Sequence, residues 1–169
     1  SMKYLKDITD WKECINEVVC GDCLEGMKLI PDKSVDCIFS DVPYLCSTGG
    51  ISTTTGFGGK NKYRNDPKKL ELLKNGKIFE HNDVLPKQYL PDLFRVLKDS
   101  GHIYVMTNSL HLSEIEIEMK KAGFKINNIL VMIKNNAITN QFYMKNCEFT
   151  IFARKGEVKP INNFSIKTA

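Results

Sequence analysis

The chain has 169 residues, 42% hydrophobic and 26% charged, which is the balance of one globular domain long enough to bury a core. No apolar run approaches the ~20 residues of a membrane-spanning helix and the N-terminus lacks a signal-peptide core, so the sequence predicts a cytoplasmic protein with no membrane partner. A net charge of +4 permits an acidic partner such as nucleic acid without requiring one.

Ser1 before Met2 reads as an expression scar and carries no argument. Residues 1–16, with Trp11 and Ile15 at i, i+4, predict a short helix or an N-terminal arm. A strand follows over 17–20, stopped by Gly21, and Asp22 is placed to cap a helix over 23–30, where Leu24, Met27 and Ile30 recur at helical spacing. Pro31 ends that helix. The apolar run Val35, Cys37, Ile38 and Phe39 then reads as a strand buried on both faces, closing a β-α-β unit.

From 46 to 83 the chain is rich in Gly, Ser and Thr, then in Lys60, Lys62 and Arg64, and reads as one long functional loop. A helix over 85–98 carries the stripe Tyr89, Leu90, Leu93, Phe94 and Leu97, with Pro91 arguing for a start of regular helix there. Ser100-Gly101 ends it, a strand runs over 102–106, and a helix over 109–122 has Gly123 as its C-cap. Two strands, 129–133 and 148–153, have no helical pattern between them and should pair antiparallel. Residues 157–169 are a polar tail. The order predicts an α/β sheet, mostly parallel, with one antiparallel strand near the edge.

Six cysteines (14, 20, 23, 37, 46 and 147) could suggest disulfides, but a chain of this length with Cys37 in a core strand favours reduced thiols. Cys20 and Cys23 form a lone C-x-x-C without a second pair or histidines at ligand spacing, so no metal is expected, and a redox or zinc module is the outlying reading.

Chemistry concentrates at Asp41-Val42-Pro43-Tyr44, at the C-terminal end of the strand, where open α/β sheets bind their ligands. The carboxylate can accept a hydrogen bond from an amino group, the Val42 carbonyl can accept another, and the Tyr44 ring can stack on a flat polar substrate. Alone, this tetrapeptide is more simply a turn that ends a strand; its position favours a binding tip.

Several blocks in order carry a resemblance: Gly21-Asp22-Cys23-Leu24-Glu25-Gly26-Met27, Pro31-Asp32-Lys33-Ser34-Val35-Asp36, Ser40-Asp41-Val42-Pro43-Tyr44, the run from Arg95 to Val105, Ile133-Lys134, and the run from Cys147 to Gly156. Together they resemble the DNA amino-methyltransferases that modify adenine N6 or cytosine N4, in the permuted subgroup that places its Asp-Pro-Pro-Tyr block first. The resemblance covers most of 17–156 as a methyltransferase catalytic region with a Rossmann-like sheet. It implies S-adenosylmethionine as cofactor, double-stranded DNA as partner, a flipped target base, and a restriction-modification setting in a bacterium or phage. Asp41, Val42, Pro43 and Tyr44 would be catalytic, Asp22 and Asp41 would face the cofactor, and adenine N6 stands ahead of cytosine N4.

Two departures qualify what the resemblance implies. Val42 stands where the family has proline, and the residues given reach Ala169 without the Phe-x-Gly-x-Gly loop that holds the methionine end of the cofactor; Phe57-Gly58-Gly59 follows no strand and does not replace it. The expectation is therefore a truncated catalytic half, with a methyltransferase-fold remnant that still binds nucleic acid as the alternative. A strand made for the middle of a sheet would then show an open edge, which predicts self-association or a partner that covers it. Lys60, Lys62 and Arg64, around Tyr63, are the candidate DNA contacts; a solvated polar loop is the plain alternative.

Overall fold

The computed structural model of the chain describes residues 2–42, 67, 84–138 and 145–162. Strand β1 (Met2–Tyr4) leads into two short 3-10 turns, Leu5–Asp7 and Trp11–Cys14, and then β2 (Val18–Cys20), which pairs parallel with β1. Of the two forms expected for residues 1–16, a short helix or an arm, no α-helix is formed: the segment is a strand and two 3-10 turns, and Ile15 is exposed and builds no apolar face.

Helix α1 (Cys23–Leu29) begins as the sequence predicts, with the Asp22 carboxylate accepting from the Leu24 and Glu25 amides at 2.8 and 3.1 Å. Strand β3 (Val35–Asp41) follows, then helix α2 (Pro86–Val96), strand β4 (Leu97–Thr107), helix α3 (Leu112–Ala122), strand β5 (Lys125–Ile138) and strand β6 (Lys145–Arg154). The main sheet has the order β3-β4-β6-β5. β3 pairs parallel with β4, while β6 runs antiparallel between β4 and β5. Three of its four strands therefore share one direction and the reversed one stands next to the edge, as expected, but because β6 lies between β4 and β5 two of the three pairings are antiparallel, so the sheet is mixed rather than mostly parallel.

Four expectations are corrected. β3 is an edge strand and not a buried one: Phe39 is 70% exposed and Cys37 is exposed, because no described strand lies on its other side. β2 and β3 flank α1 yet stand in separate sheets, so the β-α-β unit is not a neighbouring pair. Helix α2 runs through Pro91, which removes only the bond to the Lys87 carbonyl; both residues are exposed, so water can satisfy that oxygen. Finally, Ser100-Gly101 lies inside β4. Between the pairs Val35↔Leu97 and Cys37↔His102 that strand loops out, with Ser100 at φ 61.

One face of the sheet is packed. Ile103, Val105, Ile151 and Ala153 meet Leu90, Ile115 and Met119 from α2 and α3, with Met27 of α1 at the margin. Each fully buried aliphatic side chain here contributes about 1.5–3 kcal/mol. Gly123 ends α3 at φ 107, with its missing Cβ 2.9 Å from the Phe94 ring, so both conformation and space call for glycine. Arg95 binds α1 to α2: its guanidinium donates to the Met27 and Ile30 carbonyls (2.7 and 2.8 Å) and to Asp32 at 2.7 Å.

Candidate functional site

Arg95 also orients the helices. It stands in the last turn of α2 and grips the last carbonyls of α1, so these two helices have their C-termini together. α2 passes directly into the start of β4, and Lys33 and Ser34, just before β3, donate to the Arg95 and Val96 carbonyls at 3.0 and 2.9 Å. The N-termini of α1 and α2 therefore lie toward the C-terminal ends of β3 and β4. The N-terminus of α3 lies there too, since only the short turn 108–111 separates it from β4, with Asn108 accepting from the Leu110 and His111 amides just ahead of the helix.

Asp41 is the last residue of β3, in register with Met106 of β4. It is exposed, and no described side chain bonds its carboxylate. Val42 turns the other way: it is 6% exposed and belongs to the apolar cluster under α2 and α3. Its side chain is gripped by the core just where the chain leaves the sheet. Asp22 stands at the matching end of β2 and is exposed; both capping bonds use Oδ1, which leaves Oδ2 able to accept from a ligand. Gly21 before it is required by close approach, since a Cβ there would strike Leu5.

The structure thus puts Asp22, Asp41 and Val42 at the ends of the two strands joined by α1. Pro43, Tyr44, Lys60, Lys62 and Arg64 lie outside the described residues, as does the 46–83 loop apart from Pro67. Sequence reasoning missed Tyr89 and His111. Tyr89, read as one residue of an apolar stripe, is 3% exposed and its hydroxyl has no hydrogen-bond partner among the described residues; burial pushes the pKa of that hydroxyl up, and Glu114 and Cys23 add to it. His111 meets Glu114 through Nδ1 at 3.2 Å, while its Nε2 is buried with no partner among the described residues. No residue spacing signals either atom, because burial of a polar tip depends on what three helices bring around it.

Among the described residues no group of His, Cys, Asp or Glu is arranged to hold a metal ion, and no helix is long and apolar enough to cross a membrane. Cys20 and Cys23 are free and exposed. Desolvation, then the adjacent Asp22, pushes the Cys23 thiol up, the reverse of an activated redox cysteine. A pocket lined by Asp32, Lys33, Phe94, Arg95, Asp99 and Lys155 opens at the other end of the sheet, around the start of β4, and is separate from Asp41.

The fold is the α/β fold of methyltransferases. Over its whole length the chain superposes on 63% of M1.HpyAVI, solved as a complex with SAM, with a TM-score of 0.51 at 13% identity. Over 85% of its length it superposes on 57% of TTHA0409 from Thermus thermophilus, complexed with S-adenosyl-L-methionine, with a TM-score of 0.50 at 14% identity. In sequence it is similar to Type II methyltransferases: 31% identical over 129 residues to M.HinfI of Haemophilus influenzae, covering 75% of this chain and 33% of that enzyme. It is 28% identical over 141 residues to M2.MboI of Moraxella bovis, covering 80% of this chain and 48% of that one. The chain thus spans between a third and a half of the length of these curated relatives. No family model matches it.

Proposed function

We propose that this chain is the catalytic-side portion of an S-adenosylmethionine-dependent DNA methyltransferase that acts on an exocyclic amino group, with adenine N6 as the target. The observation that supports this reading most is the placement of an exposed carboxylate, Asp41, bonded by no described side chain, at the C-terminal end of a strand in a methyltransferase-type sheet. Its relatives in sequence are Type II methyltransferases.

The donor and acceptor chemistry fits the cofactor. Asp22 has a carboxylate oxygen, Oδ2, that makes neither capping bond and can accept from an amino or hydroxyl group, and Asp41 ends β3, the strand that follows α1. When bound, S-adenosylmethionine supplies an electrophilic methyl group. Asp41 and the Val42 carbonyl accept hydrogen bonds from the target amine, directing its lone pair away from them, and the buried Val42 side chain fixes that carbonyl by packing where a second proline would fix it by ring closure. Pro43 restricts the backbone after it, and Tyr44 stacks on the extruded base. Lys60, Lys62 and Arg64 contact the phosphates of the duplex.

The chain should bind S-adenosylmethionine in a calorimetric titration and transfer tritiated methyl groups to unmethylated duplex DNA, the label eluting as N6-methyladenine after digestion. Label in N4-methylcytosine would correct the target; binding of duplex without any transfer would favour the alternative, an inactive methyltransferase-fold chain. Replacing Lys60, Lys62 and Arg64 by alanine should weaken duplex binding uniformly across sequences and reduce the salt slope by about one per lost phosphate contact. An unchanged slope would remove the loop from the interface.

A further inference from the structure

The Tyr89 hydroxyl and His111 Nε2 are two buried polar atoms without a hydrogen-bond partner among the described residues. Both stand toward the end of the sheet that carries Asp22 and Asp41. Tyr89 lies near the start of α2, His111 immediately precedes α3, and Glu114 in the first turn of α3 meets His111 Nδ1 at 3.2 Å. After burial itself, Glu114 and then Cys23, the first residue of α1, hold the Tyr89 hydroxyl pKa up, so the starts of all three helices surround one cluster. Val42, one residue after Asp41, sends its side chain into the same apolar cluster as Tyr89. His111 follows β4 by a turn of four residues, and Asp41 is in register with Met106 of that strand. The pair therefore lies in the helix layer under the strand end.

The chemistry of the two atoms is complementary. An ionised carboxylate only accepts, so the Glu114 contact puts a proton on Nδ1 and leaves Nε2 of the neutral ring as a bare acceptor. The Tyr89 hydroxyl can donate or accept. A buried polar atom left unpaired costs stability, and a bound water is the usual group that fills such a gap. Here one water can donate to Nε2 and bond the hydroxyl as well. Exposure rises in order along the cluster: Tyr89 is 3% exposed, and the side chains of His111 and Glu114 are 17% and 54% exposed. The bonds thus lead from the interior to solvent.

We propose that Tyr89, a bound water, His111 and Glu114 form a proton relay from the helix layer under Asp41 to solvent. A proton that reaches Nε2 through the water makes an imidazolium that Glu114 stabilises. The Nδ1 proton then leaves through the exposed carboxylate, and tautomer exchange with solvent restores the starting ring. Glu114 acts through the imidazole and is a positioning residue. The use of the relay rests on the function proposed above. Methylation of an exocyclic amine forms an N–C bond as the methyl group leaves its donor, and the nitrogen then holds one proton more than the product carries; the relay takes that proton.

The test follows the Tyr89 hydroxyl proton of the 169-residue chain by NMR, as magnetisation transfer from water, together with the nitrogen shifts of the His111 ring. Near neutral pH the parent should show Nδ1 protonated, Nε2 bare and rapid transfer from water to the hydroxyl. H111Q keeps a donor and an acceptor but cannot pass a proton between two ring nitrogens, and it should slow the exchange at least tenfold. E114Q, at an exposed position where folding is safe, should slow it less and move ring protonation toward Nε2. E118Q is the control, since Glu118 on the same helix pairs with Lys121, and it should change nothing. Y89F should lower the thermal midpoint by about 2–6 °C because it strands the water, whereas loss of the hydroxyl from a dry site would raise it. Three results would each overturn the proposal: a parent ring protonated on Nε2 alone, hydroxyl exchange as fast in E114Q and H111Q as in the parent, or a Y89F midpoint that does not fall. None of these signals requires methyl transfer, so a chain that transfers nothing would overturn the proposed function and leave the relay to be decided by its own signals.

Discussion

Asp41→Ala is expected to lower methyl transfer by on the order of 10²–10³-fold, the usual loss when one preorganised polar group at a reacting centre is removed. The thermal midpoint should stay within about 2 °C of the parent, because Asp41 is exposed and no described side chain depends on it. Asp41→Asn separates two ways of producing that loss. If the carboxylate acts by accepting from the amine, asparagine retains an acceptor oxygen and should recover part of the rate; if its charge matters, asparagine should be as poor as alanine. In either case the deficit should fall mainly on kcat, since the interaction is proposed to strengthen as the amine rehybridises. A variant with unchanged transfer would remove Asp41 from the mechanism, and one with a collapsed thermal midpoint would make it structural.

The strand end was legible because its signals are local. An acid at the end of an apolar run, an Asp22 cap and a Gly123 stop each follow from the preferences of one or two residues, and all three are found where the sequence puts them. The antiparallel pair β5-β6 was equally legible, since no helix could fit between the strands. What failed was everything that depends on neighbours distant in sequence. The apolar run of β3 reads as a buried strand because its composition is that of one, but burial also requires a strand on each side and a layer on each face, and among the described residues β3 has a strand only on the β4 side and helices only on one face. Val42 shows the same limit from the other side. As a departure from Asp-Pro-Pro-Tyr it reads as a loss of rigidity, whereas in the fold its side chain is held in the apolar cluster. Lys155 at the end of the last strand gave no signal at all, since a lysine after Arg154 looks like part of a solvated terminus.

Lys155→Met is accordingly expected to be among the most damaging single substitutions outside the aliphatic core. Lys155 is only 7% exposed, and its Nζ donates to the Phe94 carbonyl at 2.6 Å and the Leu97 carbonyl at 2.8 Å, with the Arg95 carbonyl at 3.4 Å. Phe94 and Arg95 are in the last turn of α2, whose carbonyls have no intrahelical partners, so one buried ammonium serves as the C-cap of that helix and joins it to the first residue of β4. It also lies over the Phe94 ring, 4.6 Å from the centroid. Burial pulls the Lys155 pKa down, a cost of desolvation that its carbonyl contacts and the ring offset. Methionine keeps most of the volume but leaves the Phe94 and Leu97 oxygens buried without a donor, a loss of about 2–4 kcal/mol. For a domain of this size that is a fall of roughly 5–15 °C in the melting midpoint, measurable by scanning calorimetry. Lys155→Arg should fall between the two, because the charge survives but the larger planar head does not match a site shaped by three converging carbonyls. A Lys155→Met midpoint close to the parent's would mean that water reaches those oxygens and that the junction of α2 and β4 is held by Leu90, Val96 and Leu97 alone.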